Sequence, residues 1–220
     1  TPATEGEKIS RRYLANAFHG ALAAGEFRLS YQPQWSREGQ VEVMEVLLSW
    51  ESPRYGRIAA SEFIPIAEET GMIVPIGNWV LQQACARCAL WRQEGLAPVR
   101  LAVNVSALQF ARSDFFDVIV RTIEASGVEP SFIELEITES VIMRNLEDAA
   151  RRIARLRGFG VRVSIDDFGT GYSSLSYLRE LPVDALKIDK SFLQGLAGPS
   201  PALSLVQSIV SMAHKIGLRV

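Results

Sequence analysis

Cysteine is scarce in this chain, and its distribution excludes the usual cysteine-based chemistry. The 220 residues include two cysteines, Cys85 and Cys88, in a C-x-x-C spacing inside a helical pattern. A zinc site of this type needs a second Cys or His pair, which the sequence lacks. A thioredoxin-type motif would begin a helix directly after a strand, and this one does not. We therefore predict that both thiols stay reduced and pack in a core.

An excess of basic residues and a long apolar run are absent as well. The formal net charge is -2 at pH 7, whereas a protein that binds polymeric nucleic acid without specificity needs a basic surface. No stretch approaches the roughly 20 uninterrupted apolar residues of a membrane-spanning helix, and we expect no signal peptide. With 48% hydrophobic and 22% charged residues, the composition is typical of a globular domain, which we expect to be cytoplasmic.

What is present is an alternation of strands and helices. After a helix at residues 7–24, strands at 27–35 and 41–50 are joined by a short polar turn, which predicts an antiparallel hairpin. Ser61 is predicted to cap a short helix that ends at Gly71. Further helices are predicted at 76–94, 115–125, 146–157 and 202–216, with a short one after Tyr172. Further strands are predicted at 100–106, 132–139, 161–168 and 185–190, with another beginning at Leu218.

This alternation predicts a parallel sheet, either open and doubly wound or closed into a barrel. No glycine-rich dinucleotide fingerprint follows the first strands, which disfavours the open nucleotide-binding version. Because side chains alternate along a strand, each predicted strand has one apolar face and one polar face. Helices outside a barrel would cover only the apolar faces, and the polar residues would lie at the mouth, where such barrels place their chemistry. The sequence therefore favours an α/β barrel.

The polar faces bring several acids to the same barrel mouth. The inward oxygen ligands are predicted to be Glu45, Asn104, Glu136 and Asp166. Carboxylates that are buried together repel one another, and only Lys187 offsets them among the inward residues. Oxygen ligands of this kind suit Mg²⁺ or Mn²⁺ better than zinc. The alternative is a set of satisfied ion pairs at the barrel rim, without a metal.

Asp167 follows Asp166 directly, so it is predicted to point along the rim and to reach a second ion. Two ions about 3.5–4 Å apart are typical of enzymes that hydrolyse phosphodiesters. Lys187 would then orient or help to deprotonate the attacking water, or neutralise the transition state. If the acids bind metal and do not form ion pairs alone, the pattern predicts a two-metal hydrolase.

Seven segments follow one another along the chain: YQPQ, EVLLSW, FIPIAEETGMI, NVSALQF, ELEITES, IDDFGTGYSSLSYLRELPVDALKIDKSF and SIVSMAHKIGLRV. In this order and spacing they resemble the EAL domain family, the cyclic di-GMP phosphodiesterases of bacterial signalling proteins. The resemblance covers nearly the whole chain. It implies a TIM-like (β/α)8 barrel whose first strand runs antiparallel to the rest, and hydrolysis of cyclic di-GMP to linear pGpG with two ions of Mg²⁺ or Mn²⁺.

The resemblance also implies a role for each matching residue. The implied metal ligands are Glu45, Asn104, Glu136 and Asp166, with Asp167 for the second ion. The implied catalytic residues are Lys187, which acts on the water, together with the ligands Glu45 and Asp166. Asp189 would help to hold the metal-bound water, and Glu139 would anchor the glycine-containing loop after Asp167. Gln32 and Leu47 would contact the substrate.

The chain departs from the family at three places. The signature reads Glu45-Val46-Leu47 and not Glu-Ala-Leu, and Val46 is predicted to face outward. Ser49 lies on the inward face where the family usually has an arginine that contacts a substrate phosphate, a loss of roughly 1.5–3 kcal/mol in binding. The sequence ends before the family's Ala-Glu-Gly-Val-Glu segment and last strand. We expect residues 1–6 to be a linker remnant and residues 7–220 to be a C-terminally incomplete EAL domain.

Three functions stay open. One is an active, metal-dependent cyclic di-GMP phosphodiesterase, and another is a receptor or effector domain that binds cyclic di-GMP without cleaving it. The third is a barrel enzyme that acts on an unrelated substrate. Every implied metal position within the sequence has the expected residue, which favours the enzyme. The resemblance further implies a homodimer with an upstream sensory or cyclase-like domain. Such a domain would be cytoplasmic or the cytoplasmic part of a membrane-attached signalling protein, with no polymeric nucleic acid as partner.

Overall fold

A computed structural model describes residues 10–96, 99–169, 175–193 and 201–220. The chain divides into two units, the first up to Val128 and the second from Glu129. Both units combine β-strands with α-helices, in agreement with the predicted α/β class. The predicted linker at residues 1–6 and residues 170–174 of the loop after Asp167 lie outside the described residues.

A β-hairpin and a parallel strand form the sheet of the first unit. Its strands are β1 (Phe27–Trp35), β2 (Val41–Ser52), β3 (Gly56–Ile58) and β4 (Arg100–Val105). Its helices are α1 (Arg11–Ala23), α2 (Ala60–Glu69), α3 (Ile73–Gln93), α4 (Ala107–Phe110) and α5 (Phe115–Ser126). β1 and β2 form the predicted antiparallel hairpin, β3 pairs antiparallel with the end of β2, and β4 pairs parallel with β2.

Aromatic packing closes one face of this sheet. Phe27 and Trp50 are directly opposed across β1 and β2. The rings of Phe18 from α1 and Phe63 from α2 lie 5.3 Å and 5.9 Å from the Trp50 ring. The indole N–H of Trp50 donates to Glu26 at 2.7 Å, so the buried ring keeps its polar atom satisfied. Because this face is packed, the residues of alternate parity are left on the open face of the hairpin.

Two helix starts differ from the prediction. α2 begins at Ala60, and Ser61 lies in its first turn without capping the helix through its side chain, so the predicted cap is wrong. Alanine is the strongest helix former, which favours a start before the serine. α3 begins at Ile73 and includes Pro75 in its first turn, where no backbone N–H is needed for the helix.

Cys85 and Cys88 are buried free thiols on α3. Burial, followed by the neighbouring Cys88, raises the pKa of Cys85 to about 12. Burial also raises the pKa of Cys88. Because the thiolate is the reactive form of cysteine, both residues act as packing residues, as the sequence predicted.

Parallel strands form the described sheet of the second unit. They are β5 (Ile133–Thr138), β6 (Arg162–Phe168) and β7 (Ala185–Ile188). The α-helices are α6 (Glu139–Met143), α7 (Leu146–Phe159) and α8 (Pro201–Lys215), and short 3-10 helices cover Pro130–Phe132, Leu175–Arg179 and Lys190–Leu193. Arg219 bridges to Ala185 in parallel, where the sequence predicted a new strand. Within the described ranges, no helix has both the length and the apolar character needed to cross a bilayer.

A buried carboxylate connects β6 to the residue that precedes β7. Asp184 accepts the backbone N–H of Val163 at 3.0 Å through Oδ2, and Oδ1 accepts from Arg157 at 3.1 Å and Arg162 at 2.9 Å. Burial acts to raise the pKa of Asp184, but the Val163 N–H and the two guanidinium groups outweigh it and hold this pKa below its ordinary value. The network therefore stabilises the fold at neutral pH, and its contribution is lost as the pH falls below about 4.

We expect Asp184→Asn to lower the free energy of unfolding by about 2–3 kcal/mol at pH 7, because the buried charge and its charge-assisted hydrogen bonds are lost. Urea unfolding measures the difference. The difference should shrink between about pH 4 and pH 2, where the wild-type carboxylate becomes protonated. The matched control is Asp148→Asn on α7, a more exposed acid that faces Arg151 and Arg152 and contributes under about 1 kcal/mol. A difference that persists unchanged at pH 2 would contradict the ionic origin.

Candidate active site

The open face of the hairpin carries the predicted site residues of the first unit. Directly opposed residues of an antiparallel pair share a face, and the register pairs Gln32 with Glu45. Glu45 lies opposite Ala102 in the parallel pair of β2 and β4, so Asn104 follows on the same face two residues later. The Asn104 Nδ2 donates to Glu45 Oε1 at 3.2 Å. The register therefore brings Gln32, Glu45 and Asn104 together on the open face.

Two further predicted residues lie along β2 on this open face. Leu47 is opposed to Ser30, and Ser49 is opposed to Arg28. Ser49 is buried, so its short side chain is enclosed although it belongs to the open face. Val46 has the opposite parity and is 3% exposed. The valine of the signature triplet is therefore a core residue that faces away from the site residues, as predicted.

Lys187 joins two carboxylates in the second unit. Its Nζ lies 2.6 Å from Glu136 Oε2 and 3.5 Å from Asp166 Oδ1. The three residues come from the neighbouring parallel strands β7, β5 and β6. Glu136 is 1% exposed, and a buried carboxylate is stable only where a cation or hydrogen-bond donors offset its desolvation. This acid–lysine cluster, Glu136, Asp166 and Lys187, concentrates two negative charges around one ammonium group.

Asp167 has a strained backbone beside this cluster. Its φ of +53° makes it the one non-glycine residue in the left-handed region among the residues that the structure describes, a conformation that L-residues rarely adopt. Its N–H turns back to Asp166 Oδ1 at 2.9 Å. The register of β6 against β7 also shifts between Ile165 and Phe168. The strict alternation assumed from the sequence therefore ends at Asp166.

The pKa values of Asp167 and Asp189 are shifted in opposite directions. Burial, then the charges of Asp166 and Asp189, raise the pKa of Asp167, while Lys187 acts against this rise. Asp189, directly after β7, accepts the backbone N–H of Ser191 at 2.9 Å. Hydrogen bonds to Ser191 hold the pKa of Asp189 below its ordinary value. Neighbouring acids with divergent pKa values are typical of sites that handle protons.

Glu139 contacts both ends of the loop that follows β6. Its Oε2 accepts the Gly169 N–H at 2.9 Å, and its Oε1 accepts the Tyr177 hydroxyl at 2.7 Å. Both Glu139 and Tyr177 are buried. Burial, followed by the bond to Glu139, raises the pKa of Tyr177, so this hydroxyl remains a donor. Tyr177 is not among the predicted site residues, because no local pattern shows which acid its hydroxyl will reach.

Gly169 occupies a position that only glycine fits. Its φ is +97°, and a Cβ atom built there would lie 2.6 Å from the ring of Phe192. A side chain would therefore be strained by the backbone and would also displace the aromatic ring. Glycine at this position therefore has both a backbone reason and a packing reason.

We expect Tyr177→Phe to weaken the hold of Glu139 on Gly169 while the fold persists. Removing the hydroxyl takes a buried hydrogen bond from Glu139, which should lower the free energy of unfolding by about 1–3 kcal/mol. Amide hydrogen exchange at Gly169 should become faster, and mass spectrometry of the peptide that contains it measures this change. The matched control is Tyr13→Phe on α1, where the ring packs edge-to-face against Tyr55 and phenylalanine keeps that contact. Equal amide exchange at Gly169 in Tyr177→Phe and in wild type would contradict a connection between Tyr177 and Gly169 through Glu139.

The candidate ligand atoms in each unit fit a hard divalent cation. They are the carboxylate and amide oxygens that Mg²⁺ and Mn²⁺ prefer, and the acids around Asp167 raise its pKa through their negative charge. Across residues 10–96, 99–169, 175–193 and 201–220, however, no three His, Cys, Asp or Glu side chains form a group that could hold an ion. The Lys187 ammonium supplies the positive charge next to Glu136 and Asp166. Metal binding therefore stays a prediction.

Comparison with known proteins shows what this chain is similar to. Residues 15–220 match the family described as EAL domain. The bifunctional diguanylate cyclase/cyclic di-GMP phosphodiesterase MucR of Pseudomonas aeruginosa is 42% identical over 208 residues, which are 94% of this chain and 30% of MucR. The cyclic di-GMP phosphodiesterase NbdA of the same organism is 39% identical over 201 residues, which are 91% of this chain and 26% of NbdA. The chain spans 25–33% of the length of the curated relatives it matches.

Solved structures share the fold. The complex of the MucR phosphodiesterase with c-di-GMP is 42% identical, has a TM-score of 0.89, and the match covers 94% of this chain and 84% of that one. The EAL enzyme Bd1971 bound to cAMP and cyclic-di-GMP is 32% identical with a TM-score of 0.87, covering 94% of this chain and 57% of that one. The predicted fold class, an α/β TIM-like barrel with an antiparallel first strand, is confirmed by this likeness.

Proposed function

The chain belongs to the EAL domain family, and from that premise we propose that it hydrolyses cyclic di-GMP to linear pGpG in a metal-dependent reaction. The observation that carries the proposal is the acid–lysine cluster. The Lys187 ammonium lies 2.6 Å from Glu136 and 3.5 Å from Asp166, so one cation contacts two of the proposed metal ligands. Relatives at 39–42% identity are named cyclic di-GMP phosphodiesterases, and this supports the same substrate.

The reaction adds water across one of the two phosphodiester bonds. The oxygen of the water forms a new bond to phosphorus, the bond from phosphorus to the 3′ oxygen breaks, and that oxygen leaves with a proton. The linear dinucleotide then carries a 5′ phosphate and a free 3′ hydroxyl. Two needs follow: the water must lose a proton as it attacks, and the extra negative charge on the phosphoryl oxygens must be stabilised.

Different residues of the chain serve the deprotonation of the water and the stabilisation of the phosphoryl charge. The proposed holders of Mg²⁺ or Mn²⁺ are Glu45, Asn104, Glu136, Asp166 and Asp167. When bound, such ions act as Lewis acids toward phosphoryl oxygens and lower the pKa of water. Lys187 orients the attacking water and neutralises developing charge, because two carboxylates keep its ammonium in place. Asp189, with its low pKa, accepts hydrogen bonds from water near Asp167.

The remaining proposed residues position the reactants. Gln32 is directly opposed to Glu45, and Leu47 follows Glu45 on the same face of β2. Both side chains contact the dinucleotide. Glu139 holds Gly169 and Tyr177 at the two ends of the loop after β6. Gly169 lies two residues after Asp167, so its hydrogen bond to Glu139 helps to hold the backbone next to this acid.

A second candidate function is a receptor domain that binds cyclic di-GMP without cleaving it. One observation favours it. No three acidic, His or Cys side chains among the described residues form a group that could hold an ion. Against it stands the complete set of candidate ligands together with Lys187.

Product analysis distinguishes the two functions. The protein is incubated with cyclic di-GMP and either Mg²⁺ or Mn²⁺, and the products are separated by chromatography. We expect pGpG with either ion and none after chelation by EDTA. Binding without pGpG would overturn the enzyme in favour of the receptor, and the absence of both binding and pGpG would overturn both.

The assembly and location are part of the same proposal. We infer a homodimer within a larger cytoplasmic protein that carries an upstream sensory or cyclase-like domain, in support of which the chain spans 25–33% of its curated relatives. The free thiols Cys85 and Cys88 suit a reducing compartment. Sedimentation equilibrium of the protein tests the dimer, and a mass that stays monomeric at micromolar concentration would contradict it.

A further inference from the structure

Arg28 is the residue directly opposed to Ser49 in the hairpin. The register pairs Arg28 with Ser49, Ser30 with Leu47 and Gln32 with Glu45. Opposed residues share a face, so Arg28 belongs to the open face. It is exposed there. We call each pair of opposed residues on this face a row. Arg28 therefore places a cation in the same row as the buried Ser49, two rows from Glu45.

The row of Arg28 and Ser49 lies at the end of the strands where the other site residues are found. β2 runs parallel to β4, so their carboxyl ends share one edge, and β1 begins at that edge because it runs antiparallel to β2. Opposed Cα atoms are about 4.5–5.5 Å apart, which is less than the length of an arginine side chain. The guanidinium of Arg28 can therefore reach the space in front of Ser49.

The guanidinium of Arg28 keeps hydrogen-bond donors for a ligand. Nη1 donates to the carbonyl of Gly25 and to that of Phe27, the latter at 3.0 Å. Within the described residues, the side-chain hydrogen bonds of Arg28 both come from Nη1, and neither acceptor is a carboxylate. Nε and Nη2 form the edge that binds an anion through two parallel hydrogen bonds. The cation is thus held near the strand end by backbone carbonyls and is not neutralised there.

Arg57 on β3 provides an internal comparison. It is opposed to Glu51, which has the same parity on β2 as Ser49, so it lies on the same face one row further on. Its Nε is 3.9 Å from Glu51 Oε1. A carboxylate at this distance competes with any incoming anion. On this face Arg28 is therefore the better placed of the two cations to receive a phosphate.

We propose that Arg28 binds a phosphate of the cyclic dinucleotide from across the strand pair and so replaces a cation at position 49. The inference rests on the proposed function, which supplies a ligand with two phosphodiester anions. Two arginines directly opposed in an antiparallel pair would repel each other. An arginine at position 28 is therefore best combined with a small neutral residue at position 49, which is the combination in this chain.

The test exchanges the cation between the two strands. In Arg28→Ala, the KM for cyclic di-GMP and the Kd measured by calorimetry without divalent metal should rise about 10–100-fold, the effect of one charge-assisted contact. The kcat should stay within about threefold, because a binding contact made equally before and during the reaction leaves kcat unchanged. The double variant Arg28→Ala with Ser49→Arg should return the Kd to within about threefold of wild type. Arg57→Ala is the control, with an unchanged Kd.

Each other outcome overturns the proposal in an identifiable way. If wild type forms pGpG and Arg28→Ala binds as tightly as wild type, Arg28 has no role and the proposed function stands. Equal losses in Arg28→Ala and Arg57→Ala would show a general charge effect and not a site. A folded double variant, judged by its melting temperature, that stays as weak as Arg28→Ala would contradict the exchange between strands. A wild type that neither binds nor cleaves cyclic di-GMP would remove the proposed function and this inference together.

Discussion

Asp166→Asn should lower kcat/KM for cyclic di-GMP hydrolysis by at least about 10²–10³-fold, the scale on which lost electrostatic stabilisation acts. Asp166 lies 3.5 Å from the Lys187 ammonium and accepts the Asp167 N–H through Oδ1. An asparagine has the same shape, and its carbonyl oxygen can still accept that N–H. The charge is therefore removed while the bend at Asp167 is kept, so the loss reports on the chemistry and not on the local fold.

Two measurements test the effect of Asp166→Asn, one of turnover and one of Mg²⁺ binding. Chromatography of pGpG at saturating Mg²⁺ measures turnover, and calorimetric titration with Mg²⁺ alone should show binding weakened by about tenfold or more, since one ionised ligand is lost. The control is Asp148→Asn on α7, which makes the same chemical change at an acid paired with Arg151 and Arg152 and should keep full turnover. Activity of Asp166→Asn within about threefold of wild type would show that the metal assignment is wrong.

Lys187→Met should lower kcat by about 10²–10⁴-fold, the range that a positioned proton-transfer group contributes. Methionine keeps much of the side-chain length but removes the ammonium that lies 2.6 Å from Glu136. Glu136 is then a buried carboxylate without this partner, which should destabilise the metal-free protein by up to about 3–5 kcal/mol. Turnover and stability should thus both fall, because the ammonium acts on the attacking water and also offsets the charge of Glu136.

The second effect of Lys187→Met has the opposite sign and separates the roles of Lys187. With one positive charge removed from beside Glu136 and Asp166, a divalent cation meets less repulsion, so Mg²⁺ should bind more tightly than in wild type. Adding Mg²⁺ should therefore raise the melting temperature of the variant more than that of wild type. Lys215→Met at the exposed end of α8 is the control, with no change in either quantity. Weaker Mg²⁺ binding in Lys187→Met would contradict a metal site beside Glu136 and Asp166.

The parts of the fold that depend on local sequence could be predicted well. The polar turn between two β-rich runs predicted the antiparallel hairpin, and apolar periodicity predicted α7 and α8 to within two residues of their observed ends. Strand parity placed Val46 away from Glu45 and put Asn104 on the face where it contacts that glutamate. These features follow from chemistry within a few residues or from the two-residue repeat of a strand.

Other features could not be predicted, because they depend on register or on residues distant in sequence. The positive φ of Asp167 arises where the register of β6 against β7 shifts. The network around Asp184 needs α7, β6 and the residue before β7 to meet in space.

The sequence by itself determined the family, the α/β class and the chemical character of the site, since ligand types and strand parity are written in the order of the residues. Only the tertiary structure decided which of these groups meet. It brought the Lys187 ammonium next to Glu136 and Asp166. It also brought the Tyr177 hydroxyl to Glu139 and placed Arg28 opposite Ser49. The physical reason is that strand register and burial are set by the packing of the whole sheet, and a shift of one residue would exchange every face.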